Sequence, residues 1–235
     1  MSLRLYQFHI SPYCGKIRAI LQYKGLDYRV EPVHPIKRWK LLWVTGQKRV
    51  PVLVHDTRVI IDSTRIARYV DEHFPENPIY PRGRRDQAQA LLWEDWADES
   101  LQRTVGPLKF IDRENARRMA SLENQHHPAD VERTYQRLQP IIARQMATFG
   151  GTGSLTVLKA RLNELTQILS DRLEGLYLVG KQPSIADFSV YAVLEPFEHC
   201  NGWYLIEEHA NLMRWFQRMK ELTTGQRRAE GRSQV

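Results

Sequence analysis

Apolar and polar positions alternate in short runs along the first third of the chain. Leu3, Leu5 and Gln7 fall on one side of an extended segment and Arg4, Tyr6 and Phe8 on the other. Apolar residues on both sides predict a central strand covered on both faces. Ser11 then stands at an N-cap position with Pro12 at the first helical position. They open a helix that carries Ile17, Ile20 and Leu21 and is closed by Gly25. A second strand is predicted from Tyr28 to Val33. Val50–Val54 and Arg58–Ile61 form a hairpin turning at His55-Asp56-Thr57. Asp62 and Ser63 start another helix, with Ile66, Ala67, Tyr69 and Val70 on its apolar face. The stretch from Pro35 to Lys48 gives no clear period and is predicted to be irregular.

The order βαβ, irregular stretch, ββα builds a four-stranded mixed sheet of the thioredoxin-like kind. The segment Phe74-Pro75-Glu76-Asn77-Pro78-Ile79-Tyr80-Pro81 carries three prolines, cannot continue a helix and is predicted to be a linker. Beyond it the period is helical, with stretches near 83–112, 130–148, 155–174, 184–199 and 208–221, broken at Gly150-Gly151-Thr152-Gly153-Ser154. The predicted fold class is an α/β thioredoxin-like domain over 1–76 followed by an all-α domain over 84–222.

Composition agrees with a folded globular chain: of 235 residues, 42% are hydrophobic and 26% charged. No secretory apolar segment and no apolar run long enough to span a membrane is present, so a cytoplasmic location and no membrane partner are expected. Two cysteines, Cys14 and Cys200, are too few for a disulfide framework and lack metal-ligand spacing. The net charge of +7 raises the question of nucleic acid. Most basic residues alternate with acids, and only Arg82/Arg84/Arg85 and Arg227-Arg228 cluster. No nucleic-acid partner is expected.

Three segments then carry a resemblance. Ser11-Pro12-Tyr13-Cys14-Gly15-Lys16-Ile17-Arg18 follows the first strand, Arg49-Val50-Pro51-Val52-Leu53 opens the third, and Asp62-Ser63 starts the third helix. Together they resemble the active-site turn, cis-proline strand and acid-serine helix start of the glutathione transferase superfamily. Leu178-Val179-Gly180-Lys181-Gln182-Pro183-Ser184-Ile185-Ala186-Asp187-Phe188 resembles its helical-domain signature, and Asn211-Leu212-Met213-Arg214-Trp215 its final helix. The resemblance covers nearly the whole chain and implies reduced glutathione as co-substrate, no metal, a homodimer, and a detoxification-type conjugation to a hydrophobic electrophile.

It also implies roles. A thiol with a pKa of about 8.5 is mostly protonated at neutral pH, and a hydroxyl at a helix N-terminus lowers that value. Ser11 has this position in theta-like and zeta-like members, where omega-like members have cysteine. Read from the residues alone, Ser11 is equally a plain N-cap. Cys14 is the alternative catalytic group or, on its helix, a half-buried structural thiol. The resemblance makes Val50-Pro51 a cis bond that frees the Val50 backbone for the cysteinyl part of glutathione; otherwise Pro51 merely begins a strand. Asp62 and Ser63 are a helix start that can hold the γ-glutamyl end, and Arg49 either meets the glycyl carboxylate or is solvated. Ser184 and Asp187 form a structural capping box. Trp93, Trp96, Phe110, Trp203 and Tyr204 are core aromatics or a second-substrate pocket. His126-His127 lacks a third metal ligand nearby.

Two other functions remain open. One is a non-catalytic binding module, for which Trp39 and Trp43 would supply contacts. The other is a glutathione-dependent isomerase or peroxidase resembling type 2 prostaglandin E synthases, which keep cysteine where this chain has Ser11.

Overall fold

The computed structural model describes residues 2–34, 36–127, 130–149 and 154–224. Pro35, the Gly150–Gly153 part of the predicted break, and Arg227-Arg228 lie outside the described residues. The sheet has the order β2-β1-β3-β4, with β1 Leu3–Gln7, β2 Arg29–Pro32, β3 Val52–His55 and β4 Arg58–Ile61. β1 runs parallel to β2 (Leu5 opposite Val30) and antiparallel to β3 (Leu5 opposite Leu53), and β4 closes the hairpin with Ile60 opposite Leu53. Leu5, Val52 and Leu53 are fully buried, as a strand covered on both faces requires.

Helix α1 (Pro12–Tyr23) ends at Gly25, whose φ of 66° is the left-handed conformation that stops a helix. Helix α3 spans Ser63–His73. The linker is tied down: the buried Lys24 ammonium donates to the carbonyls of Phe74 (2.8 Å) and Glu76 (3.0 Å), and pairs with Asp71 at 2.7 Å. Asp71 in turn accepts the Ile79 N–H.

The sequence pattern needs three corrections. The 35–48 stretch is not irregular throughout, because Trp39–Thr45 forms a short helix, α2, ended by Gly46 at φ 71°. Its residues are apolar on nearly every side, which hides the period. The predicted stretch 83–112 is also not one helix. It is α4 (Arg84–Trp96), a π-helical turn over Ala97–Leu101, and α5 (Gln102–Ile111) with Pro107 inside it. A further helix, α6 (Arg113–Gln125), was not expected at all; Asp112 caps it by accepting the Asn115 N–H at 2.8 Å. Its apolar face is only Ala116, Met119 and Ala120 among many charges, a weak periodic signal.

The remaining helices are α7 (Glu132–Phe149), α8 (Leu155–Arg172), α9 (Ile185–Leu194), α10 (Tyr204–Glu207) and α11 (Ala210–Thr224). Helix α9 is buried along its whole length and packs on α1, with Tyr23 and Phe188 rings 5.2 Å apart. The Asp187 carboxylate reaches back to the Ser184 N–H at 2.9 Å and also accepts Leu178 N–H and the Trp215 indole N–H. Among the described residues no helix is long and apolar enough to cross a membrane.

Lys109 on α5 is fully buried, and burial pushes its ammonium down to about 8 despite Cys200 and Glu195 nearby. The unfolded chain therefore holds this proton up to higher pH than the folded one. Folding carries a penalty below about pH 8 that fades as pH rises toward the ordinary lysine value. Lys109→Met should stabilise the fold by about 3 kcal/mol at neutral pH, and by progressively less above it, as read by urea unfolding across pH.

Candidate functional site

A cleft of about 560 Å³ opens beside the sheet. One wall is the chain entering β3, where Gln47, Arg49, Val50 and Pro51 line it and the Val50–Pro51 bond is cis. The second wall is the end of β4 and the start of α3, with Ile61, Asp62, Ser63 and Thr64. Asp62 has φ 75° and ψ 128°, a positive-φ backbone that is unusual for a residue other than glycine. Its side chain accepts the Arg65 N–H at 3.1 Å. The N–H groups of Ser63 and Thr64, which have no partner within a helix, belong to residues on the cleft.

The third wall was not anticipated. Tyr13 from α1 and Asp98 and Glu99 from the π-helical turn complete the lining. The buried Lys16 ammonium holds Asp98 at 2.8 Å and Glu94 at 3.2 Å, and Thr64 donates to Glu94 at 2.9 Å. Burial raises the Asp98 carboxyl, against the opposing pull of Lys16. Burial, with Asp98 and Glu99 beside it, pushes the Tyr13 phenol up to about 12, so it remains a neutral donor. Tyr13 lay inside the quoted turn motif and could have been singled out there. Asp98 and Glu99 had no signal, because the extra residue of a π-turn shifts the face that a 3.6-residue period assigns.

Arg49, Val50, Pro51, Asp62 and Ser63 thus meet at one cleft, whereas Ser11 and Cys14 are not on its lining. Ser11 sits half-buried at the N-cap of α1, two residues before Tyr13. It holds the N-cap position, but its side chain makes no capping hydrogen bond and is turned to the Cys14 thiol. Cys14 is not half-buried but 0% exposed. Burial pushes its thiol up to about 11, against opposing hydrogen-bond contributions from the Ser11 side chain and the Phe8 backbone.

The turn between β1 and α1 is fixed from above by α6. The buried Glu123 carboxylate accepts the Ile10 N–H at 3.0 Å, and burial raises its protonation point. His126 stacks on His9 with ring centres 3.5 Å apart. Burial, then Arg18, His126 and His199, push His9 down to about 3, so it is neutral near neutral pH. Among the described residues no group of three or more His, Cys, Asp or Glu side chains is placed to hold a metal.

The aromatic candidates do not gather in one pocket. Trp93 and Trp96 pack edge to face at 5.1 Å, Trp203 packs on Phe216 at 4.9 Å, and Phe110 is half-buried against the core. Tyr204 is exposed under Lys159.

A small mixed sheet with a cis-proline cleft, joined to a helical bundle through a capped central helix, defines a thioredoxin-like domain followed by a helical domain. Residues 5–78 match the glutathione S-transferase N-terminal domain model and residues 129–218 the C-terminal domain model. The chain belongs to the glutathione S-transferase superfamily. It is similar to prostaglandin E synthase 2 of Danio rerio, at 22% identity over 95% of this chain and 71% of that protein. It is also similar to glutathione S-transferase U1 of Arabidopsis thaliana, at 31% identity over 51% of this chain and 54% of that one. Among solved structures, the β-etherase LigF of Sphingobium sp. strain SYK-6 superposes with a TM-score of 0.71 at 21% identity, covering 97% of this chain and 100% of that one.

The burial of both cysteines has a direct consequence. With Cys14 pushed up to about 11 and Cys200 to about 12, the folded protein should show no thiol reactive toward an aromatic disulfide reagent at pH 8, and two per chain after unfolding. A rapidly reacting native thiol would contradict the burial of Cys14.

Proposed function

We propose that the protein is a transferase that binds reduced glutathione in this cleft and adds its sulfur to an electrophilic, fairly apolar small molecule. The observation that carries the reading is the meeting of the Val50–Pro51 strand entry with the open N-terminus of α3 at Asp62 and Ser63. These two features suit the two halves of an extended anionic peptide. The Val50 backbone pairs with the cysteinyl unit, and the N–H groups and hydroxyl at Ser63 take the γ-glutamyl carboxylate. Arg49 meets the glycyl carboxylate at the other end. Asp62, with Asp98 and Glu99 on the facing wall, provides negative charge for the γ-glutamyl ammonium.

Ser11 is the hydroxyl that stabilises the thiolate. Its position at the start of α1, two residues before the cleft-lining Tyr13, supports this role, as does the positive end of that helix. Cys14 is the weaker candidate because a fully buried thiol held near 11 supplies almost no thiolate at neutral pH. The reaction takes place in the protomer's own cleft; a homodimer and a cytoplasmic setting accompany the reading by analogy with the family.

The relatives called prostaglandin E synthase 2, which match across nearly the whole chain, favour a second reading, a glutathione-dependent isomerase. The two differ in stoichiometry, since a transferase consumes one thiol per turnover and an isomerase regenerates it. Thiol consumption and product formation measured over an electrophile panel, with wild type and Ser11→Ala, separate them. The expected result is one thiol lost per product and turnover about 100-fold lower in the variant with the fold intact. Retained turnover in Ser11→Ala would remove the serine from the mechanism, and product without thiol loss would favour the isomerase.

A further inference from the structure

Helix α2 presents an apolar surface that the glutathione cleft does not use. Trp43 is 86% exposed and Trp39 66%, and with Leu42 they form one i, i+3, i+4 stripe. Val44 is exposed beside them, and Leu41 is the residue by which the helix is anchored to the sheet. Charge on the same segment has one sign. Lys37, Lys40 and Lys48 are exposed, Lys37 and Lys40 beside Trp39, and no acidic residue occurs between Glu31 and Asp56; the Glu31 carboxylate lies 3.9 Å from the Lys40 ammonium. Arg38 is turned inward, lying over the Phe8 ring at 4.8 Å and donating to the Lys48 carbonyl.

Exposed tryptophans have an affinity for the zone where headgroups meet acyl chains, because an indole is apolar over most of its surface and polar at one edge. Surrounding lysines add attraction to anionic headgroups. We propose that α2 is a docking face for an anionic lipid bilayer, with Trp39 and Trp43 inserted at headgroup depth and Lys37, Lys40 and Lys48 over the lipid phosphates.

Other occupants fit less well. An isologous contact with a second copy would set the lysines of one subunit against the same lysines of the other. A protein partner is usually met by a pocket that receives its anchor residues; the cavity of about 240 Å³ beside α2 is lined by Lys37, Trp39 and Lys40 but not by Trp43, which stands outside it. That no helix among the described residues is long and apolar enough to cross a membrane does not bear on docking of this kind, since such a face lies on the bilayer rather than through it. Gln47 and Arg49 follow α2 directly and line the cleft, so docking also turns the cleft toward an apolar reservoir. The inference stands on the α2 surface alone and does not require that the cleft bind glutathione.

The test is flotation of the full chain with vesicles of phosphatidylcholine, with and without about one-third phosphatidylserine, at low and high salt. Wild type should float with the anionic vesicles at low salt and be released at high salt. Trp39→Ser/Trp43→Ser and, separately, Lys40→Glu/Lys48→Glu should each weaken this by about tenfold or more, with circular dichroism and thermal midpoint unchanged. Failure of wild type to float with anionic vesicles would overturn the proposal, as would equal flotation of the tryptophan variant. A tryptophan variant that sediments at a smaller size than wild type would assign α2 to a contact between protein chains and overturn it as well.

Discussion

A single buried carboxylate organises the junction on which the cleft depends. Asp187 is completely buried and accepts hydrogen bonds from Leu178 N–H, Ser184 N–H, the Ser184 hydroxyl and the Trp215 indole N–H, at 2.8–3.0 Å. One side chain thereby fixes the turn before α9, the first turn of α9 and the middle of α11. A buried acid is tolerated only where its oxygens are satisfied, and here the donors come from three separate segments. Ile185 N–H also donates to the Ile79 carbonyl, which brings the linker to the same place. Helix α9 supports α1, α1 carries Tyr13 to the cleft, and Lys16 one turn later secures the Asp98 wall. The geometry of the cleft is in this sense a consequence of the helical half of the chain.

The same dependence explains what could be read from the sequence. Elements specified by local chemistry were legible: Pro12 opening α1, Gly25 closing it, Asp62-Ser63 beginning α3, and the Ser184/Asp187 box. All five glutathione-site candidates that meet at the cleft belong to or adjoin such a mark: Asp62 and Ser63 begin α3, and Arg49 directly precedes the Val50-Pro51 pair. Features created by tertiary contact were not legible. Helix α6 is too charged to show an apolar period, yet its Glu123 is what holds Ile10 in the turn ahead of Ser11. Asp98 and Glu99 reach the cleft through a π-helical turn that a regular period cannot anticipate. Cys14 lies on a helix face that its neighbours alone do not show to be completely covered.

Charge divides the surface around the cleft in a way that the overall balance of +7 conceals. The wall formed by Asp62, Asp98 and Glu99 is acidic, while the segment leading to Arg49 is basic and contains the exposed tryptophans. In the proposed reading this gradient suits a zwitterionic peptide with carboxylates at both ends and an ammonium at one, whose carboxylate beside the acids would meet the open N–H groups at Ser63. The buried amines have contrasting roles. Lys16 on α1 pairs with Glu94 and Asp98 and so ties the first domain to the helical one, and Lys24 holds the chain entering the linker through Asp71, Phe74 and Glu76. Lys109, for which burial lowers the ammonium to about 8, has no comparable partner among the described residues.

The claim at the centre of the account is that the cleft between the Val50–Pro51 strand entry and the start of α3 is a glutathione site. Calorimetric titration of the protein with reduced glutathione, beside an Asp62→Ala variant of matched thermal midpoint, tests it most directly. The account predicts saturable binding in the micromolar to low-millimolar range, about −4 to −8 kcal/mol, that the variant weakens by at least about tenfold. Absence of heat with the wild type, together with no competition from an S-alkyl glutathione, would contradict it.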